Sequence, residues 1–218
     1  MKGSISSISC CLLTMAASLV VPPVTSLPAR SSSHLLREYL NDSVWSLRKR
    51  LEYRRGGAFG KWTGTATFTE DPVRCDTLLY TEEGFLKFDT STMGLGGSEG
   101  IPSSGRPLAF VFPADSEAAA EVHFVEEAGF RFFHKMPFSP EVVAHWPTSA
   151  SCSFEHLCVK DLYSGCWTIL DEDRFQIRWH VFGPTKDGDI VQEYERQEPP
   201  ATLLPLPPPP PPPLTPTP

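Results

Sequence analysis

Basic charge is in short supply in this chain of 218 residues: 19 Lys and Arg stand against 26 Asp and Glu, for a formal net charge of −7. Polyanions attract proteins through clustered Lys and Arg that release counterions, so this balance argues against nucleic acid as a partner. The densest basic run, Arg48-Lys49-Arg50 with Arg54-Arg55, falls in a stretch of alternating pattern and reads as a solvated strand face. Long apolar runs are missing too. The stretch from Cys10 to Val21 is shorter than the ~20 residues a bilayer-crossing helix needs, which argues against a membrane span. Neither GxSxG nor HExxH occurs, and the Gly-rich segment Gly94 to Gly100 precedes no helix and ends in no Lys-Ser pair, so it is not a phosphate cradle. Cysteine forms no CxxC pair; Cys75, Cys152, Cys158 and Cys166 read as reduced, buried thiols.

Both ends depart from globular composition. The first acidic residue is Glu38, and the serine-rich leader places Lys2 before the apolar run and Val24-Thr25-Ser26 after it. Residues 1–26 therefore fit a secretory signal, with a charged start, an apolar centre and small residues at the cleavage point. An organelle transit peptide and a spurious upstream extension are the rivals, which leaves export, organelle and cytoplasm all open. From Pro199 onward proline dominates, with an unbroken run from Pro207 to Pro213. Such a tract adopts an extended polyproline II helix and cannot join a core. It reads as a docking peptide for SH3, WW or profilin-type partners, or as an unselected low-complexity tail. The division expected is a leader or disordered extension over 1–32, a folded domain over 33–196 and a proline-rich disordered tail over 197–218.

Between these ends the hydrophobic period is two. Trp62, Gly64, Ala66 and Phe68 alternate with threonines and Lys61, which puts apolar groups on one face and β-branched hydroxyls on the other. Trp45, Leu47, Leu51 and Tyr53 do the same, as do Leu108, Phe110 and Phe112; Ala120, Val122 and Phe124; Phe130, Phe132 and Met136; and Phe175, Ile177, Trp179 and Val181. Turns are expected at Arg55-Gly56-Gly57, Glu83-Gly84, Ala128-Gly129, Asp171-Glu172-Asp173 and Lys186 to Asp189, and a mobile loop at Thr90 to Gly105. One helix, Ser33 to Leu40, carries Leu35, Leu36 and Tyr39 on a stripe. The fold expected is mainly β, an antiparallel, lipocalin-like barrel of about nine or ten strands with a short N-terminal helix.

Several stretches stand in an order that matches a known family: Trp45, Leu47 and Arg48; Gly64-x-Ala66-x-Phe68; Leu79-Tyr80-x-Glu82-Glu83-Gly84; and Phe132-Phe133-His134. His156-Leu157-Cys158-x-x-Asp161-x-Tyr163, Trp179-x-Val181-x-Gly183-Pro184-x-Lys186-Asp187 and Tyr194-x-Arg196 complete the series. From Tyr39 to Arg196 the chain resembles domain-of-unknown-function family 6314, found in bacteria and in fungi and other eukaryotes. The resemblance implies a compact β-barrel like that of lipocalins, and no reaction. Two positions depart from the family pattern: Ser43 where Gly is usual, and Gly188 where Tyr is usual.

A closed sheet of this size can hold a small ligand in its mouth, walled by aromatics. The residues expected on that site are Trp45, Arg48, His134, His156, Tyr163 and Trp179, with Arg48, on the polar phase of its strand, pairing an anionic head group if its side chain turns inward. The ligand expected is apolar or mildly anionic. His134, His156 and Asp161 are the candidates for acid–base chemistry in an enzyme alternative, and the proline tract serves a scaffold alternative. His156 and Cys158 share a strand face and His134 could join them, but one pair and a third residue fall short of a structural zinc set, so no metal is expected. Lys186 and Asp187 read as a charged turn.

Overall fold

A computed structural model of the chain describes residues 31–55, 57–88, 100–114, 119–138 and 150–197. The leader with its secretory reading and the proline tract with its SH3, WW or profilin reading lie outside the described residues. Among the described residues one helix, α1 (Ser32–Leu40), precedes eleven strands: β1 (Ser43–Tyr53), β2 (Ala58–Glu70), β3 (Thr77–Phe88), β4 (Ile101–Ser104), β5 (Leu108–Val111), β6 (Ala120–Glu126), β7 (Gly129–Met136), β8 (Ser151–Cys158), β9 (Asp161–Ile169), β10 (Arg174–Phe182) and β11 (Asp187–Arg196).

The alternation dictates the architecture. A strand with one dry face must bury it, and ten such strands do so by curling into a barrel in the order β7-β6-β5-β3-β2-β1-β11-β10-β9-β8. Every pairing is antiparallel, and β4 lies off this path, paired with β3 alone. The barrel is nearly closed. The first and last strands of the chain, β1 and β11, pair from Trp45↔Arg196 to Tyr53↔Gly188, so segments far apart in sequence are neighbours in the sheet.

One end of the barrel is plugged. Ser31 caps α1 by accepting the His34 amide at 3.2 Å, and the helix buries Leu36, Tyr39 and Leu40 in the opening. Trp45 and Phe175 meet edge to face at 4.7 Å beneath Tyr39, and Phe175 in turn stacks on Trp167 at 4.5 Å and Tyr194 at 4.1 Å. Arg196 covers this cluster, its guanidinium 4.3 Å from the Trp45 ring and bonded to the Tyr39 carbonyl at 2.7 Å. Ser43, the departure from the family glycine, accepts the Trp45 indole N–H at 2.7 Å and donates to the Leu40 carbonyl, tying helix to strand.

The structure corrects several local expectations. Glu83-Gly84 is no turn: it lies inside β3, with Gly84 opposite Gly64. The Thr90 to Gly105 segment contains a strand, Ile101–Ser104, held on β3, while 89–99 lies outside the described residues. The turn expected at Lys186 to Asp189 falls earlier, because β11 already begins at Asp187. Phe130 and Phe132 do not share the inner face with Met136: a bulge opposite Val122 and His123 resets the phase, so that His134 is buried and Phe132 is half exposed against His123. Cys152 is buried as expected and burial pushes its thiol up, but Cys75 and Cys158 are exposed; all four described cysteines are free.

Candidate ligand-binding cup

Above the plug the barrel encloses a cavity of about 250 Å³. Its wall is mostly aromatic, with Phe68, Phe110, Phe124, Phe133, Phe154 and Trp179 contributed by six different strands. Such breadth follows from the period-two pattern, since each strand sends every second side chain inward. The polar exceptions on the wall are Tyr80, Glu82, Arg106, His134, Gln192 and Tyr194, together with Tyr163.

The innermost polar groups form one connected chain. Lys49, inward on β1 between Leu47 and Leu51, reaches Glu82 on β3 at 2.5 Å, and both side chains are largely buried. The other Glu82 oxygen accepts the Tyr80 hydroxyl at 2.9 Å, and Tyr80 meets the Tyr194 hydroxyl at 3.0 Å. Burial is the first cause that pushes both phenols far above their ordinary value, so they remain protonated donors. Lys49 also lies 4.8 Å from the centre of the Trp62 ring. A buried ion pair gains little over apolar packing, yet losing one partner strands a charge.

A seam between β7 and β8 closes the wall by side chains. The bulge turns both Phe133 and His134 inward: His134 stacks flat on Phe154 at 4.0 Å, and Phe133 meets His156 edge on at 4.6 Å. Gly165 on β9 makes room for this, because a β-carbon there would collide with the Phe154 ring. His156 bonds through Nδ1 to the Phe133 carbonyl at 3.0 Å, a link across the two edge strands. Burial, with a smaller push from His156, lowers the His134 pKa to about 4 against the opposing bond to the Lys135 carbonyl.

At the mouth, Arg106 and Arg131 flank the Phe124 ring at 4.2 and 4.5 Å and share one carboxylate, Glu126, at 2.7 Å each. The bond from Arg131 is the main cause that holds the Glu126 carboxyl below its usual range. Two guanidinium groups against one carboxylate leave a net positive charge beside the opening.

Of the residues expected on the site, His134, Tyr163 and Trp179 line the cavity. His156 packs behind it against Phe133 and Phe124, 6.5 Å from the Tyr163 ring. Trp45 sits in the plugged end. Arg48 points outward, 62% exposed, within 3.8 Å of Glu193 and Glu195, because it lies one residue out of phase with Leu47 and Lys49. Glu82, Lys49, Tyr80 and Arg106 were missed, and a signal for two of them exists: Lys49 and Glu82 are charges on the apolar phase of their strands.

The family-motif residues mostly hold the frame together. Asp161 is buried, and the Thr185 hydroxyl that donates to it leads the causes keeping its carboxyl below the usual range; the amides of Thr185 at 3.0 Å and Lys186 at 3.3 Å add to this. Gly183 must be glycine for that clasp, since a β-carbon would strike Asp161. The Pro184 carbonyl accepts from Arg55, Lys186 donates to the Tyr163 hydroxyl at 2.6 Å, and Asp187 pairs with Arg54 at 2.6 Å. Cys158 is exposed at the end of β8. Asp161 is thus committed to the β10–β11 turn, apart from His134 on the cavity wall. Among the described residues no three His, Cys, Asp or Glu side chains converge as a metal set, and no helix is long and apolar enough to cross a membrane.

An S-type phycobiliprotein lyase from Guillardia theta is similar over 78% of this chain and 95% of its own, with 10% identity and a TM-score of 0.47. A de novo fluorescence-activating β-barrel is similar over 73% of this chain and 95% of its own, at 11% identity and a TM-score of 0.29. A redesigned β-barrel covers 74% and 94%, at 12% identity and a TM-score of 0.28. No curated protein matches the sequence. The model of the family of unknown function DUF6314 matches residues 42–196, the span from the turn before β1 to the end of β11, and the chain belongs to that family.

Proposed function

We propose that the barrel is a binding module for a small apolar or mildly anionic molecule held in its cup. The observation that carries this reading is the cavity of about 250 Å³ behind an aromatic wall, where a barrel without a ligand would fill its interior with side chains. Arg106 takes the part that the sequence suggested for Arg48, since its guanidinium lines the cup and stands in the cationic pair at the mouth. An acid head group there would meet a net positive charge while its apolar body lies against Trp179 and Phe154. Binding stands ahead of the acid–base alternative because Asp161, one of that alternative's three groups, is engaged by the β10–β11 turn. The ligand-binding unit proposed is the span 33–196, with the proline tract as a separate docking peptide.

The test is titration of the full chain with 2-naphthoic acid, read by tryptophan fluorescence and melting temperature. Saturable quenching and a raised melting temperature are expected. Arg106→Ala should weaken binding about tenfold, as for loss of a charge-assisted contact, while Arg48→Ala should leave it unchanged and Trp179→Phe should remove most of the quenching. If neither fluorescence nor melting temperature responds to this acid or to a panel of fatty and aromatic acids, the binding reading is wrong.

A further inference from the structure

On the reading of the barrel as a binding cup, Glu82 is the carboxylate on its wall, and the lone pairs it keeps open can be counted. Glu82 lines the cavity and is buried. A carboxylate has about four acceptor sites, and among the described residues donors reach it from two groups: Lys49 at 2.5 Å and Tyr80 at 2.9 Å. Acceptor capacity therefore remains on a group that faces the cavity. The Tyr80 proton is committed to Glu82, so in the 3.0 Å contact between the phenols Tyr194 donates and Tyr80 accepts. Both phenolic protons run toward Glu82, and neither is left for a ligand.

His134 adds a second acceptor to the wall. Its Nδ1 lies 3.2 Å from the Lys135 carbonyl, and a carbonyl only accepts, so Nδ1 carries the proton. Burial keeps this ring neutral at ordinary pH, which leaves Nε2 a bare lone pair on a side chain that lines the cup. Glu82 and His134 thus present acceptors to the cup, beside donors carried by Arg106, Gln192, Tyr163 and the unpartnered indole N–H of Trp167.

From the open lone pairs of this buried carboxylate we infer that the occupant is a flat, largely apolar molecule bearing an N–H or O–H group that donates to Glu82: a phenol, indole or pyrrole, not a hydrocarbon, ether or ester. A ligand without a donor would cover the carboxylate and satisfy none of its open lone pairs, and a buried acceptor left unsatisfied is costly. An acid group at the same spot would face like charge. The molecule is therefore oriented, with its donor inward at Glu82 and any acid outward at Arg106.

The experiment compares 2-naphthol with 2-methoxynaphthalene, two probes that differ by replacement of the donated proton with a methyl group. With the full chain, 2-naphthol should bind at least about tenfold more tightly, the ratio for one hydrogen bond to a charged acceptor. In the double variant Lys49→Met/Glu82→Leu the ratio should fall to about twofold or less, with 2-methoxynaphthalene bound at least as well as in the wild type. Equal affinities in the wild type, or a preference for the ether, would overturn this inference and leave the cup reading intact; binding of neither probe would overturn both. Should the double variant fail to fold, the wild-type ratio decides alone.

Discussion

His134 should make the barrel sensitive to mild acid, and the size of the effect can be worked from its setting. The ring is 5% exposed, stacked on Phe154, and burial lowers its pKa from 6.5 to about 4. Above pH 6.5 the imidazole is neutral in the folded and unfolded chain alike, and pH matters little. As the pH falls through 6.5 toward 4, the unfolded chain takes up a proton that the folded chain refuses, so stability declines across that window. At 1.36 kcal/mol per pKa unit, the full loss is about 3 kcal/mol, of which about 2 kcal/mol has gone by pH 5. Urea unfolding at pH 7 and pH 5, followed by tryptophan fluorescence, measures it. Carboxylates elsewhere contribute to the wild-type change, so the comparison is with His134→Phe, which keeps a flat ring on Phe154 and cannot titrate. The wild type should lose about 2 kcal/mol more than the variant between the two pH values. Equal losses would mean that His134 is solvated or already charged in the folded barrel, and the closed seam between β7 and β8 would be wrong.

Gly165→Ala drives a methyl group into the Phe154 ring; it should cost about 1–3 kcal/mol in urea unfolding and weaken 2-naphthoic acid binding by disturbing the His134–Phe154 seam, and an unchanged midpoint would refute that packing. For the buried pair, Lys49→Met and Glu82→Gln should each cost about 3–5 kcal/mol because the partner charge is stranded, whereas the double variant should recover most of that loss. Additive losses in that double-mutant cycle would show that the two side chains do not interact.

The strand phases were legible in the sequence because they depend on local alternation alone. Phe175, Ile177 and Val181 are buried with Trp179 on the cavity wall, and Trp62, Ala66 and Phe68 are buried with the threonines turned out, as period two requires. The same rule puts Arg48 and Arg50 outside, and it could have placed Lys49 inside. Reading Arg48-Lys49-Arg50 as one solvated basic run hid the one residue of the three that faces the core. Phe130 and Phe132 failed for a different reason: the bulge opposite His123 depends on how β6 pairs with β7, and no pattern within β7 announces it.

By itself, then, the sequence determined the mainly β architecture, the helix that plugs it, the apolar face of most strands and the family. These follow from side-chain periodicity and from residues read in order. Tertiary structure alone decided which charges meet and which motif residues touch the cup. Lys49 and Glu82 stand 33 residues apart, Asp161 and Thr185 24, and Tyr80 and Tyr194 114. Each pair forms only once strand order and barrel closure bring those positions to one wall, because a hydrogen bond needs partners within about 3 Å and a chain pattern carries no information about a distance of that kind between remote segments.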